Sequence, residues 1–137
     1  MVRIGIAITD ARQTLASPLD NHARGSKDQD ARYFQQLVQD EALVGFVVGL
    51  PVHLSGDESQ KSYEARLFGK WLAEATGLPV DFYDERYSSV IADDFLAAGQ
   101  LTKKQRLRRR DMLAAQVILA SYLESDRLSN DMISLDD

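Results

Sequence analysis

The stretch LVGFVVGLP, residues 43–51, is a continuous apolar run with none of the alternation of a half-exposed strand. Such a run belongs to a strand buried on both faces, typically in a parallel sheet covered by helices. The residues behind it agree. Ser55 to Glu58 spells a capping box, in which the serine and the glutamate each satisfy a backbone N–H at a helix start. Ala65, Phe68, Leu72 and Ala75 then recur at helical spacing and mark a core face. GLP at 77–79 stops that helix, and VDFY at 80–83 reads as a second short strand. A strand–helix–strand unit of this kind sets its strands parallel through a right-handed crossover.

Working outward, VRIGIAIT (2–9) is a strand, and TLASPL (14–19) is a candidate partner with DARQ as the turn. NHARGSKDQ (21–29) is polar and reads as a loop. Ser26 to Gln29 is a second capping box, and Ala31, Phe34, Leu37, Val38 and Ala42 place a helix over about 27–41. A helix near 89–98 ends at Gly99. Thr102 to Gln105 opens a long helix to about 124. The tail, ESDRLSNDMISLDD, has weak periodicity and an acidic end, and is expected to fray over 125–137. One domain over 1–124 is expected, with no repeat, linker or low-complexity segment.

Composition narrows the function classes. The 137 residues suit one domain with a real core. A net charge of -5 argues against a protein that coats nucleic acid over its whole surface. It leaves room for a local basic site, because KKQRLRRR (103–110) departs from the average. The absence of cysteine excludes disulfides and thiolate metal sites and fits a reducing interior. No apolar run approaches the roughly 18 residues of a membrane span, and the N-terminus lacks a signal-peptide pattern. A cytoplasmic location with no membrane partner is the expectation.

Ligands of open α/β sheets bind beyond the carboxyl ends of the parallel strands. PVHLSGD (51–57) and DERYSS (84–89) occupy that edge, so Asp84 and Glu85 emerge at the favoured place. On position alone, solvated loop acids with Arg86 pairing one of them are an equal alternative. Asp111 says more. Leu107, Asp111, Ala114, Ala115, Ile118 and Tyr122 follow the i, i+3/i+4 rule, which places the carboxylate on or beside an apolar stripe. A charge aimed toward a core is costly unless paired or coordinated. An Arg108–Asp111 pair at i, i+3 is worth only ~0.2–0.5 kcal/mol and leaves the stripe position unexplained. The sharper reading has Glu85 and Asp111 holding Mg²⁺, which takes one or two carboxylates plus substrate phosphate and water. Such an ion activates water and stabilises the leaving oxygen of a phosphodiester. The basic run then neutralises phosphates, rather than serving as a plain solvated helix face. His22 and His53 are too far apart in sequence to suggest a zinc site, and each reads as a loop residue. No Walker loop or GxGxxG is present, Ser55, Ser88 and Ser89 serve as caps or turn residues, and Phe68 and Trp71 fit helix packing.

Four stretches, RIGIAITDARQTLASPL, VVGLPVHLSGDES, VDFYDERYSS and RRRDMLAAQVILASYL, stand in this order over roughly residues 3–124. Together they resemble the YqgF-type proteins, a family with a ribonuclease H-like fold, related to Holliday-junction resolvases and described as pre-16S ribosomal RNA nucleases. The resemblance implies a mixed α/β sheet flanked by helices. It also implies a Mg²⁺- or Mn²⁺-dependent nuclease acting on precursor ribosomal RNA or branched nucleic acid, with the ribosome as a further partner and a monomeric or homodimeric state. By it, Glu85 and Asp111 are catalytic metal carboxylates, with Asp84 a further candidate. Gly49, Leu50, Pro51 and His53 form the loop near the site. Arg3, Arg86, Lys103, Lys104, Arg106, Arg108, Arg109 and Arg110 face nucleic acid.

One departure stands against the resemblance. The family opens with a strand carrying a GxDxG-like turn, whose Asp is the first metal ligand. Here Met1 and Val2 stand just before RIGIA. The expectation is that this usual first strand is absent, or that RIGIAIT replaces it with a residue such as Ala7 where the Asp belongs. Asp10 is a poor substitute, since it lies about seven residues from the family's hairpin turn, roughly 20 Å at ~3.3 Å per residue. Without that strand, 2–9 pairs directly with 43–50, or backbone groups are left in an unfilled slot. Either the true start lies upstream, or the domain is rebuilt as a catalytically impaired nucleic-acid- or ribosome-binding module.

Overall fold

The computed structural model describes residues 3–51, 60–85 and 103–135, and within the last span the side chains at 105 and 109–125. The elements are β1 (Arg3–Thr9), β2 (Ala16–Ala23), α1 (Lys27–Glu41), β3 (Phe46–Leu50), α2 (Gln60–Thr76), β4 (Val80–Asp84) and α3 (Lys103–Leu135). The Ser55–Glu58 capping box, the helix expected near 89–98 and the Thr102 cap lie outside the described residues. The chain forms two compact units, one holding α1, β3, α2 and β4, the other β1, most of β2, and α3.

In the first unit, β3 and β4 pair in parallel, from Phe46 opposite Val80 to Leu50 opposite Asp84. The apolar run at 43–51 thus contains a parallel strand, Phe46–Leu50, as its pattern implies. α2 packs on this pair and α1 packs on α2. The close approach of α2 needs Gly69: a Cβ there would lie 2.5 Å from Phe82 Cζ and 3.2 Å from Val80 Cγ1. Ala65 and Leu72 are buried on the expected face of α2. Phe34 of α1, also buried, meets Phe46, Phe68 and Trp71 at 6.1–6.3 Å between ring centroids, all steeply inclined. Edge-to-face contacts of this kind add to the gain from burial alone.

The ends of α1 and α2 are set locally. Ser26 and Gln29 form the reciprocal capping box of α1. Ala42 takes a left-handed conformation at its end, with Leu43 N–H donating to the Val38 carbonyl at 3.1 Å. At the end of α2 the left-handed position falls on Gly77, φ +73°, where the missing Cβ removes the steric cost. Asp30, fully buried, sits one turn into α1. Its carboxylate accepts from Arg24 Nε at 2.8 Å and from Gly25 N–H at 3.0 Å. The Arg24 guanidinium also lies over the Phe68 ring, 5.3 Å from its centroid. Removing one partner of such a buried pair costs about 3–5 kcal/mol, because the other charge is left stranded.

In the second unit, β1 and β2 form an antiparallel pair. Asp10 builds their turn. Its Oδ1 accepts from the backbone N–H groups of Thr14 (2.7 Å) and Leu15 (3.0 Å), and its Oδ2 from the Thr14 hydroxyl (2.6 Å). These hydrogen bonds favour the ionised form and lower the carboxyl from 3.8 to about 2. β2 continues to Ala23, so Asn21–Ala23 is strand where the polar sequence suggested loop, and His22 is a strand residue. Strand pairing overrides local composition there. Among the described residues, β1 pairs with β2, and β3 pairs with β4.

α3 lies along β1. A Cβ at Gly5 would collide with the Asp111 carbonyl group and stand 2.9 Å from the Asp111 Cβ. Gln116 Nε2 donates to the Ala16 carbonyl at 3.0 Å and ties the same helix to β2. The helix runs to Leu135, past the end expected near 124. No helix among the described residues is long and apolar enough to cross a membrane.

Gly5→Ala should destabilise the protein by about 1–3 kcal/mol, because helix backbone must retreat from the strand; denaturant titration measures it. Asp10→Asn should also lower stability at neutral pH. The native carboxyl is depressed, so its contribution is complete above 3.8 and is lost as pH falls toward 2. The stability difference between Asp10→Asn and wild type should close across that window.

Candidate metal-carboxylate site

The flush register of β3 and β4 brings two chain ends to one edge. Leu50 is paired with Asp84, Pro51 follows the first strand, and Glu85 follows the second. Glu85 is half-buried. Its carboxyl is raised above the ordinary 4.5, first by burial and second by the neighbouring charge of Asp84. Two adjacent acids, one of them reluctant to ionise, match what a divalent cation relieves, since its charge reverses both effects. Their oxygens are also the hard donors that Mg²⁺ or Mn²⁺ takes. Gly49 is the penultimate residue of β3, opposite Tyr83. His53 and Arg86 lie outside the described residues.

Asp111 belongs to the other unit and is fixed there by backbone rather than by burial. Its carbonyl and Cβ rest against Gly5 of β1, while the side chain is exposed. The cost of aiming a charge at the core therefore does not act on it; the residue stands beside the stripe formed by the half-buried Ala114, Ala115, Ile118 and Tyr122. Asn21 Nδ2 of β2 lies 3.4 Å from Asp111 Oδ2. Arg109 and Arg110, just before it on α3, are exposed, as is Arg3 at the start of β1. Lys103, Lys104, Arg106 and Arg108 are on the first turns of α3, with side chains outside the described set, as is that of Leu107. Glu85 and Asp111 are each placed within their own unit. Among the described residues, no three His, Cys, Asp or Glu side chains cluster as a complete metal cage.

Two features escaped the sequence reading. Asn21 was hidden in a stretch taken for loop; extended as a strand, its alternation puts residues 17, 19 and 21 on one face. The Arg24–Asp30 pair left only a faint signal, an acid one turn beyond a capping box with an arginine just upstream.

Parallel and antiparallel strand pairs flanked by helices, with acids at the carboxyl edge of the parallel pair, define a ribonuclease H-like α/β protein. Residues 1–125 match the family described as RuvX: Holliday junction resolvase, and the chain belongs to that family. Among its relatives is a protein of Rhodopirellula baltica, 45% identical over 131 residues, which span 96% of this chain and 76% of the relative. A protein of Neisseria gonorrhoeae is 42% identical over 122 residues (89% and 81%), and one of Paracoccus denitrificans 39% over 121 residues (88% and 77%). All three carry the name "Putative pre-16S rRNA nuclease".

Glu85→Gln should raise the melting temperature of metal-free protein at neutral pH. A carboxyl raised in the folded state loses stability as pH climbs through its range, so the variant's advantage should vanish below about pH 4.5, the ordinary Glu value. Thermal melts at several pH values check this.

Proposed function

We propose that this protein is a divalent-metal-dependent nuclease that cleaves phosphodiesters of precursor ribosomal RNA or branched nucleic acid in the cytoplasm. Glu85 carries the reading. It is a half-buried carboxyl beside Asp84, at the strand edge where this fold class binds ligands, and it is held in a state that a cation would relieve. Glu85 and Asp111 would hold Mg²⁺ or Mn²⁺, with Asp84 as a further oxygen donor. When bound, the ion supplies an activated water and charge stabilisation for the leaving oxygen. Arg3, Arg109 and Arg110, with the basic residues before them on α3, would engage phosphates and set the register of the strand. The family membership and the relatives' names support the substrate class.

A second reading, a binding module without hydrolysis, is favoured by one observation. Asp10, the acid nearest β1 in sequence, has both carboxylate oxygens engaged by the β1–β2 turn. Cleavage of labelled pre-16S RNA and of a four-way DNA junction in Mn²⁺ separates the two. Under the nuclease reading, Asp111→Asn and Glu85→Gln drop cleavage to the metal-free level while the fold stays intact. Equal cleavage by wild type and both variants would sink it. Under the binding reading, wild type binds without cutting. Replacing Arg109 and Arg110 by Ala then lowers the slope of log affinity against log salt by about 1.4–1.8.

A further inference from the structure

We infer that Asn21 is a positioning residue for the Asp111 carboxylate, an inference that rests on the reading of Asp111 as a metal carboxylate. The backbone of Asp111 is already settled, because its carbonyl and Cβ are pressed against Gly5 of β1. What stays free is rotation of an exposed side chain. Asn21 comes from the neighbouring strand β2, is half-buried, and points its amide nitrogen at Asp111 Oδ2 from 3.4 Å. The nitrogen, not the amide oxygen, must face the carboxylate, since two acceptors would repel.

The chemistry of this donor suits a metal ligand. Being neutral, the amide holds one carboxylate oxygen without cancelling the negative charge that attracts a cation, as Lys or Arg in its place would. The other oxygen, Oδ1, is left to turn outward. At 3.4 Å the bond is at the long end of the hydrogen-bond range, so its effect is on orientation more than on stability. Groups that orient a ligand in this way typically change metal affinity or activity by about 10–100-fold when removed.

Asn21→Ala and the isosteric Asn21→Asp test the inference. The second keeps the volume and the strand while replacing the donor by an acceptor, and it serves if the first fails to fold. In metal-free protein, NMR at fixed pH reads the Asp111 side-chain rotamer populations and its ¹³Cγ shift. Both variants should spread the rotamers and move the shift, while backbone amide signals of β1 and β2 stay in place. With Mn²⁺, Asn21→Ala should weaken binding at Asp111 by about 10-fold and lower kcat with KM for the nucleic acid unchanged. Wild-type rotamers and ¹³Cγ shift in both variants would overturn the inference. If Mn²⁺ leaves the wild-type Asp111 signals untouched, the ligand reading of Asp111 falls, whereas altered rotamers in the metal-free variants would still support orientation by Asn21.

Discussion

The contact between the Gly5 position and the Asp111 peptide sets the second unit. A helix lies on a strand at side-chain distance unless one partner gives up its Cβ, and here β1 does so at the residue opposite Asp111. The consequence is a carboxylate whose root is held by backbone while its oxygens stay in solvent. An acid placed in this manner bears little of the desolvation cost of a buried charge, while its backbone is packed against β1. Gln116 and Asn21 then tie the same helix to β2, so one hairpin and one helix are enough to define where Asp111 stands.

The other unit solves a different problem. β3 and β4 are short, and two strands alone are a marginal sheet. They are stabilised by α2, brought close at Gly69, and by an aromatic cluster centred on Phe34. That packing holds the two strand ends level, which brings Asp84 and Glu85 to the same edge as Leu50 and Pro51. Glu85 is kept half-buried next to a second acid, an arrangement that costs stability. Folds tolerate such local conflict mainly where a ligand resolves it.

Much of this was legible in the residues because it is local. The capping box at Ser26 and Gln29 and the periodicity behind it placed α1 at Lys27–Glu41, and the uninterrupted run at 43–51 announced a parallel strand. What failed to show depended on partners distant in sequence. Asn21–Ala23 is polar, and only pairing with β1 makes it strand. The helical period put Asp111 on or beside an apolar stripe but could not say that its side chain is exposed, since that depends on how α3 meets β1. Nothing in the residues around Asp30 marks it as buried; that depends on Arg24 and the backbone of Gly25, which donate to its carboxylate.

Trp71 is the chain's single tryptophan, and it lies 5.7 Å from Phe68 and 6.3 Å from Phe34 within the aromatic cluster. Its emission is therefore an optical reporter for the α1–α2–β3–β4 half alone. The half that carries Asp111 has Tyr122 among its described residues and no indole. Red-shifted tryptophan fluorescence would register melting beneath Glu85 and be blind to the hairpin. Far-ultraviolet dichroism would report both halves, since α1 (15 residues) and α2 (17 residues) together are about as helical as α3 (33 residues). The two signals together give this protein a built-in means of telling whether its halves come apart in one step or two.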